Sequence, residues 1–589
     1  MPTRSSGVPG AFAMTEIGHG SDVASVATTA TYDEDTQEFV IHTPFRAAWK
    51  EYLGNAAVHG IAATVFAQLI TKGVNHGVHA LYVPIRDENG DFLPGVGGED
   101  DGLKGGLNGI DNGRLHFTTV RVPRVNLLNR YGNVAEDGTY TSPIASPGRR
   151  FFTMLGTLVQ GRVSLDGAAT AASAMGLAIA ITYGSQRRQF TAGSDTDEEV
   201  ILDYQRHQRR LLPLLATTYA QTFAHDEFLV KFDAVFSGKA ASDDDREDLE
   251  TLAAALKPLS TWHALETLQE AREACGGAGF MAVNRLVGLR ADLDVYVTFE
   301  GDNNVLLQLV AKRLLTDYSK KFAKADPAAL ARLVAAQAAG RAYHGSGLRS
   351  LAQTVADFGS TARSVDHLRD ANAQRELLTD RVETMIAGVA GVLREAKNLS
   401  KTDAAALFNS QQNELIEAAR AHGELLQWEA FTRALDTWNA QTDPGTTQVL
   451  TWLRDLFGLG LIEKHAAWYL INGRLSPQRA QSVTAYIDRL LTRLRPHAVD
   501  LVDAFGYGPE HLRAPIASGI EQERQNEARA YYAEQRASGT APLDEKVLAK
   551  QAAKAAKAAA AASATSGPGA SESGSGKGAS SGTRAMAAK

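Results

Sequence analysis

The chain has 589 residues, 44% of them hydrophobic and 22% charged, and a net charge of −7. That length exceeds what one hydrophobic core serves, so two or three domains are expected, and the charge offers no general attraction to nucleic acid or to an anionic membrane. With Cys275 as its single cysteine, the chain holds neither a disulfide framework nor a thiolate metal cluster, and a reducing cytoplasm is the expected location.

The start, MPTRSSGVPG, has no apolar signal core, and no run approaches the ~20 apolar residues of a bilayer span, so a soluble, unexported protein is expected. From Thr28 to Ile85, short runs rich in β-branched residues (TTATY, the turn DEDT, EFVIH, GIAATVFAQLI, HALYVPI) predict an antiparallel β domain. It continues through RLHFTTVRVP, Arg114 to Pro123, and is assigned to residues 1–145. At Pro147 and Gly148 the pattern changes period. Gly161 to Phe190 carries small and apolar residues on several faces, as does the stretch from Ile201 to Phe232 and that from Leu249 to Glu273. These predict a helical bundle over 146–325. A second helical domain is expected over 326–536, from the spacing in ETMIAGVAGVLREA and TWLRDLFGLGLIEKHAAWYLI. Residues 537–589, Ala/Lys-rich and then Gly/Ser-rich, are expected to be a disordered tail. The fold class is therefore α+β, mainly α, with a middle antiparallel β domain followed by two helical bundles.

Four segments hold candidate chemistry: FAMTEIGHGSD (Phe12 to Asp22), RRQF (Arg187 to Phe190), CGGAGF (Cys275 to Phe280) and VYVTFEGDNN (Val295 to Asn304). By itself the first reads as a turn between strands, and the glycines of the third as a helix end. Arg187 and Arg188, on a helix closing at Phe190, read as solvated charges, and Cys275 as a small buried side chain. Glu300 follows an apolar run and precedes Gly301, which lets the backbone turn sharply. A carboxylate so placed is partly desolvated, which raises its pKa towards the range of a general base at neutral pH; an ordinary strand-end glutamate is the competing reading. No H-E-x-x-H spacing, G-x-G-x-x-G turn or P-loop occurs, so no metal site and no nicotinamide or P-loop nucleotide site is expected.

In this order, the four segments resemble the acyl-CoA dehydrogenase superfamily. TEIGHG, TTATYDEDTQEF, HALYVPIRD, RVPRVNLL with DGTY, and TFEGDN resemble its acyl-CoA oxidase branch. The resemblance spans roughly Ala11 to Leu315 and implies FAD as cofactor and fatty acyl-CoA as substrate. It implies that Glu300 removes the α-proton, with Gly301 beside the substrate. It places Phe12, Met14, Thr15 and Ser21 along the flavin, Ser21 also facing CoA, and Trp49 on the next flavin-contacting strand, with Glu51 where the oxidases have a glycine. Arg187, Gln189 and Phe190 match the segment reaching the FAD of a neighbouring subunit, implying a homodimer or larger. Gly277, Asp302 and Asn304 match further cofactor positions, and Arg162 an arginine near the CoA. Electrons from the flavin would pass to O2, giving hydrogen peroxide and a trans-2-enoyl-CoA in fatty-acid β-oxidation. The alternatives are a dehydrogenase that uses an electron-transferring flavoprotein, and a CoA-binding homologue without catalysis. In the family a helical domain precedes the TEIGHG segment; here that segment begins at Thr15, and the chain is expected to lack that domain.

Overall fold

The computed structural model describes residues 8–191, 197–240, 242–324, 353, 367–438, 443–542 and 545–564. They fall in two compact units, Met1–Gln522 and Glu523–Lys589.

The first unit begins with nine strands: β1 Gly10–Ala13, β2 Thr29–Asp33, β3 Glu38–His42, β4 Lys50–Gly54, β5 Ala62–Thr71, β6 Val74–Pro84, β7 Val96–Asp100, β8 Asn112–Phe117 and β9 Val120–Pro123. Six form one sheet in the order β1-β5-β2-β3-β9, with β6 pairing β5, and β4, β8 and β7 form a second. Alternating inward residues, among them Phe39, Ile41, Val65, Leu69, Leu81, Leu115 and Phe117, build a common core.

The structure departs from the sequence reading in two respects here. The larger sheet is mixed, because β1 and β2 both run parallel to β5, one at Ala62–Val65 and the other at Gln68–Ile70. Arg114 to Pro123 is also two strands in different sheets rather than one. At the corner between them Thr119 takes a φ of 53°, so the chain turns out of one sheet and into the other. Two shorter strand pairs complete the β structure, Asn133–Val134 with Tyr140–Thr141 and Arg188–Gln189 with Glu199–Val200.

Seven helices follow: α1 Pro147–Met154, α2 Leu158–Gln186, α3 Gln205–Phe236, α4 Asp243–Ala274, α5 Gly276–Phe280, α6 Leu286–Leu293 and α7 Asn303–Lys324. Pro147 sits in the first turn of α1 behind the Ser146 cap, where a missing N–H costs nothing. Phe151 of α1 packs with Phe66, Val78 and Ala80 of the larger sheet, and Asp292 accepts a 2.7 Å hydrogen bond from Leu107 N, so helices and β domain are joined at two places. Helix α2 ends at Gln186, so Arg187, Gln189 and Phe190 leave it in a hairpin and do not close it. Among the described residues α2 alone is long and apolar enough to cross a membrane, and 67% of its most apolar window is buried inside the protein. Packing on all sides by α3, α4 and their neighbours accounts for that composition.

Beyond the bundle, helices Ala371–Leu393, Gln412–Trp438, Pro444–Lys464 and Pro477–Leu494 add to the same apolar core through Leu378, Trp428, Phe431, Phe457, Tyr486 and Leu490. In the second unit, Glu545–Ala564 is helical, in keeping with its alanine content and contrary to the expectation of a disordered tail there. Residues 565–589 lie outside the described residues.

Candidate active site

Glu300 is not at a strand end. The run before it, Asp294–Val297, is a 3-10 helix, and the chain then reverses through Glu300 at φ 55° and Gly301 at φ 102° into α7. A left-handed conformation is costly for a residue with a Cβ, of order 1–3 kcal/mol, and persists only where the surroundings impose it. Two helices impose it here. Arg162 Nε, on α2, donates to the Glu300 carbonyl at 3.1 Å. Lys257 Nζ, on α4, donates to the Gly301 carbonyl at 2.8 Å and to Asn303 Oδ1 at 3.0 Å. Asn303 in turn donates to Thr261 Oγ1 at 3.0 Å.

The Glu300 side chain lies over Gly161 of α2. A Cβ on Gly161 would stand 2.8 Å from Glu300 Cδ and 2.9 and 3.0 Å from its carboxylate oxygens, so this approach needs glycine. Glu300 Oε2 is buried and has no hydrogen-bond partner among the described residues. Burial raises the Glu300 carboxyl above its usual pKa, and the positive charges of Arg162 and Lys257 pull against it. The same burial pushes the Lys257 ammonium down to about 8, with Arg162 acting in the same direction and Asp302 and Glu300 opposing. Asp302 accepts from Asn304 N at 2.9 Å and Val305 N at 3.4 Å, which caps α7.

A second group of candidate residues gathers where β1 runs on towards β4. Phe12 is 45% exposed and its ring leans on Phe66 at 4.9 Å, while Met14 packs against the cluster that holds Phe151, Met154 and Leu155, next to the start of α2. The Thr15 carbonyl accepts from Glu51 N at 3.1 Å, and the Trp49 carbonyl from Ile17 N at 3.0 Å. Trp49 stacks on His116 at 4.1 Å with Arg46 over its ring at 4.4 Å, and Ser21 is exposed in the bend that follows.

Two residues unremarked in the sequence hold this loop. Glu16 and Lys50, both fully buried, pair at 3.1 Å; Glu16 also accepts from Ala27 N at 2.7 Å and Thr28 N at 2.9 Å, and Lys50 donates to the Phe66 and Met14 carbonyls. A bulge in β4 explains how Lys50 and Glu51 both turn inward: Glu51 and Tyr52 together oppose Arg114, and Tyr52 takes φ 65°. Glu51 then meets Arg114 Nε at 2.5 Å, so its carboxylate is held within the sheet.

The remaining candidates lie elsewhere. Arg187 meets Glu521 at 3.2 Å, Tyr204 OH donates to the Gln189 carbonyl at 3.0 Å, and Phe190, at φ 63°, is 73% exposed. Gly277 has open space where a Cβ would stand, in the short helix α5 that opens on the left-handed Gly276. Cys275 beside it is buried, which pushes its thiol up to about 12. Among the described residues no group of three His, Cys, Asp or Glu side chains is placed to hold a metal ion.

The structure therefore brings Arg162, Glu300, Gly301, Asp302 and Asn304 together at one turn, and Met14, Thr15, Trp49 and Glu51 together at another. Lys257, Gly161, Glu16 and Lys50 escaped the sequence reading, since each acts through a partner distant along the chain. Only the pairing of Gly161 with Arg162 near the start of an apolar helix was there to be noticed.

Three family descriptions match the chain in succession: the acyl-CoA dehydrogenase middle domain over residues 11–120, the acyl-CoA oxidase C-alpha1 domain over 155–315, and acyl-CoA oxidase over 370–519. Peroxisomal acyl-coenzyme A oxidase 2 of Arabidopsis thaliana is 41% identical over 523 residues, covering 86% of this chain and 72% of that protein. Peroxisomal acyl-coenzyme A oxidase 3 of the same plant is 35% identical over 511 residues, covering 87% and 71%. The structure of Caenorhabditis elegans acyl-CoA oxidase-1 complexed with FAD and ATP superimposes with a TM-score of 0.74 at 27% identity, covering 93% of this chain and 78% of that one. The chain belongs to the acyl-CoA oxidase family. The expectation of a cytoplasmic location is overturned by the relatives, whose names place them in peroxisomes.

Proposed function

We propose that the protein is an FAD-dependent acyl-CoA oxidase that converts a fatty acyl-CoA to the trans-2-enoyl-CoA, with Glu300 as the base. The observation that carries the proposal is the Glu300 carboxylate: buried, raised in pKa, held in a left-handed turn, and with Oε2 lacking a partner. A carboxylate that accepts no hydrogen bond at one oxygen is set to accept a proton there. The α-proton next to a thioester is removable because negative charge moves onto the thioester oxygen, and a backbone N–H such as that of Glu300 stabilises that charge. Arg162 fixes the Glu300 carbonyl and so the direction of the side chain.

The residues of this chain fit FAD. Phe12 and Trp49 present aromatic surface, Thr15 and Ser21 carry hydroxyls on the same loop, and Arg187 offers a half-exposed guanidinium suited to a pyrophosphate. Buried Gln186 Oε1 and His207 Nε2 have no partners among the described residues and lie at the end of α2 and the start of α3 beside that arginine. Gly277, Asp302 and Asn304 complete the set. When bound, FAD supplies acceptance of the β-carbon hydride and its passage to O2 as hydrogen peroxide. The exposed hairpin of Gln189 and Phe190 supports a reach to the cofactor of a second copy, so a homodimer belongs to this reading.

Glu300→Gln keeps the volume and removes the base. In the FAD-loaded variant, acyl-CoA is expected not to bleach the flavin under anaerobic conditions, whereas the unaltered protein bleaches and releases peroxide in air. Undiminished bleaching in the variant rejects the assignment, and bleaching without peroxide in the unaltered protein rejects O2 as acceptor.

A further inference from the structure

Lys257 has no part in the chemistry just described, yet it is buried one helix away from the base and spends its hydrogen bonds on the turn that carries it. It contacts that turn at two points, Gly301 O at 2.8 Å and Asn303 Oδ1 at 3.0 Å, and Asn303 is itself buried and tied to Thr261. Pro258, next in α4, has no N–H, which loosens the helix where Lys257 leaves it. An ammonium buried without a full carboxylate partner is an expensive choice for structural support alone, since an amide or hydroxyl would meet the same acceptors at lower desolvation cost.

We propose that Lys257 is a positioning residue for Glu300: its ammonium clamps the 300–303 turn in the left-handed conformation that lays the carboxylate on Gly161, and keeps a positive charge beside the base. The inference rests on the reading of Glu300 as the base. Arg162 from α2, Glu250 from α4, and Asp302 with Glu300 from the turn are the other charged groups here, and Arg162 and Glu250 act on each other across α2 and α4. Burial raises the Glu300 carboxyl, and Arg162 and Lys257 are the two charges that oppose it. Removing one of them moves the carboxyl upward, and each unit of movement is a tenfold loss of the deprotonated base on the acid side of the midpoint.

The test reads the Glu300 titration directly, through the infrared carbonyl band of its protonated acid, assigned by its loss in Glu300→Gln. It uses the full chain, with anaerobic flavin bleaching against pH as a second readout of the FAD-loaded protein. Lys257→Met is expected to raise the midpoint by one unit or more and to move the acid limb of the bleaching profile by the same amount, so that the deficit is about tenfold greater at low pH than at high pH. Lys257→Arg, which keeps the charge, is expected to restore most of it. Should the methionine variant not fold, Lys257→Gln keeps a donor for Gly301 O and removes the charge, and the same shift is expected. An unmoved midpoint in the folded variant, or a bleaching deficit equal at every pH, overturns the role of Lys257. Full bleaching in Glu300→Gln overturns instead the assignment of the base.

Discussion

Gly161→Ala separates the positioning of Glu300 from the stability of the fold. Gly161 is the fourth residue of α2, a site where alanine favours a helix over glycine by up to about 1 kcal/mol. The added Cβ would stand 2.8 Å from Glu300 Cδ. Carbon atoms prefer about 3.5–4.0 Å, so the carboxyl group must retreat by roughly 0.7 Å or more. The atoms this Cβ would meet are the far end of a side chain and not backbone, so the retreat is cheap for folding. It is not cheap for proton transfer, where a displacement of about 1 Å can cost on the order of 100-fold. The expectation is a thermal midpoint equal to or slightly above that of the unaltered protein, and anaerobic flavin bleaching by acyl-CoA slowed by about 10- to 100-fold. Undiminished bleaching at full stability would show that the carboxylate does not work from the place it occupies over Gly161. A loss of several kcal/mol in urea unfolding would show instead that the turn cannot yield.

The buried pair of Glu16 and Lys50 gives a stability prediction: Lys50→Met leaves the carboxylate buried with the Ala27 and Thr28 amides and, at 3.9 Å, His19 Nδ1, at a cost of about 3–5 kcal/mol, and the double variant with Glu16→Gln recovers most of it. Urea unfolding measures both, and a single-variant loss below about 1 kcal/mol refutes the pair as the anchor of the loop. Glu424 gives a pH prediction. Burial pushes it up, but His465, 3.5 Å away, and the charges of Lys464 and Arg381 outweigh burial and bring it to about 2. Its folded value lies below its unfolded one, so its contribution is complete above about pH 4.5 and is lost as pH falls towards 2, on the order of 3 kcal/mol in all. Glu424→Gln should flatten the acid limb of thermal stability over that window, and an unchanged limb contradicts the assignment.

What the sequence revealed follows from the range of the interactions involved. The hairpin of β2 and β3 and the long helices were legible because alternation and helical spacing are local. The switch of sheets at Thr119, the bulge at Glu51 and the exit of the chain from α2 at Gln186 were not, since each is decided by a partner strand or helix far along the chain. The run before Glu300 reads as a strand by composition, and tertiary packing against α4 and α6 makes it a 3-10 turn. The same division holds at the site. Glu300, Gly301 and Arg162 could be named from motifs, while Lys257 meets its turn from 44 residues away and Lys50 meets Phe66 through a strand and a loop.

The residues around the Glu300 turn share a physical character that argues for their role together. A glycine in an apolar helix, a left-handed glutamate and a buried lysine next to a helix-interior proline each lower the stability of the element that contains them. Scattered, they would be ordinary defects. Here Gly161, Glu300, Lys257 and Pro258 gather around one turn, whose carboxylate oxygen Oε2 accepts no hydrogen bond among the described residues. Several local rules broken together around one carboxylate mark a place where the fold gives up stability for chemistry.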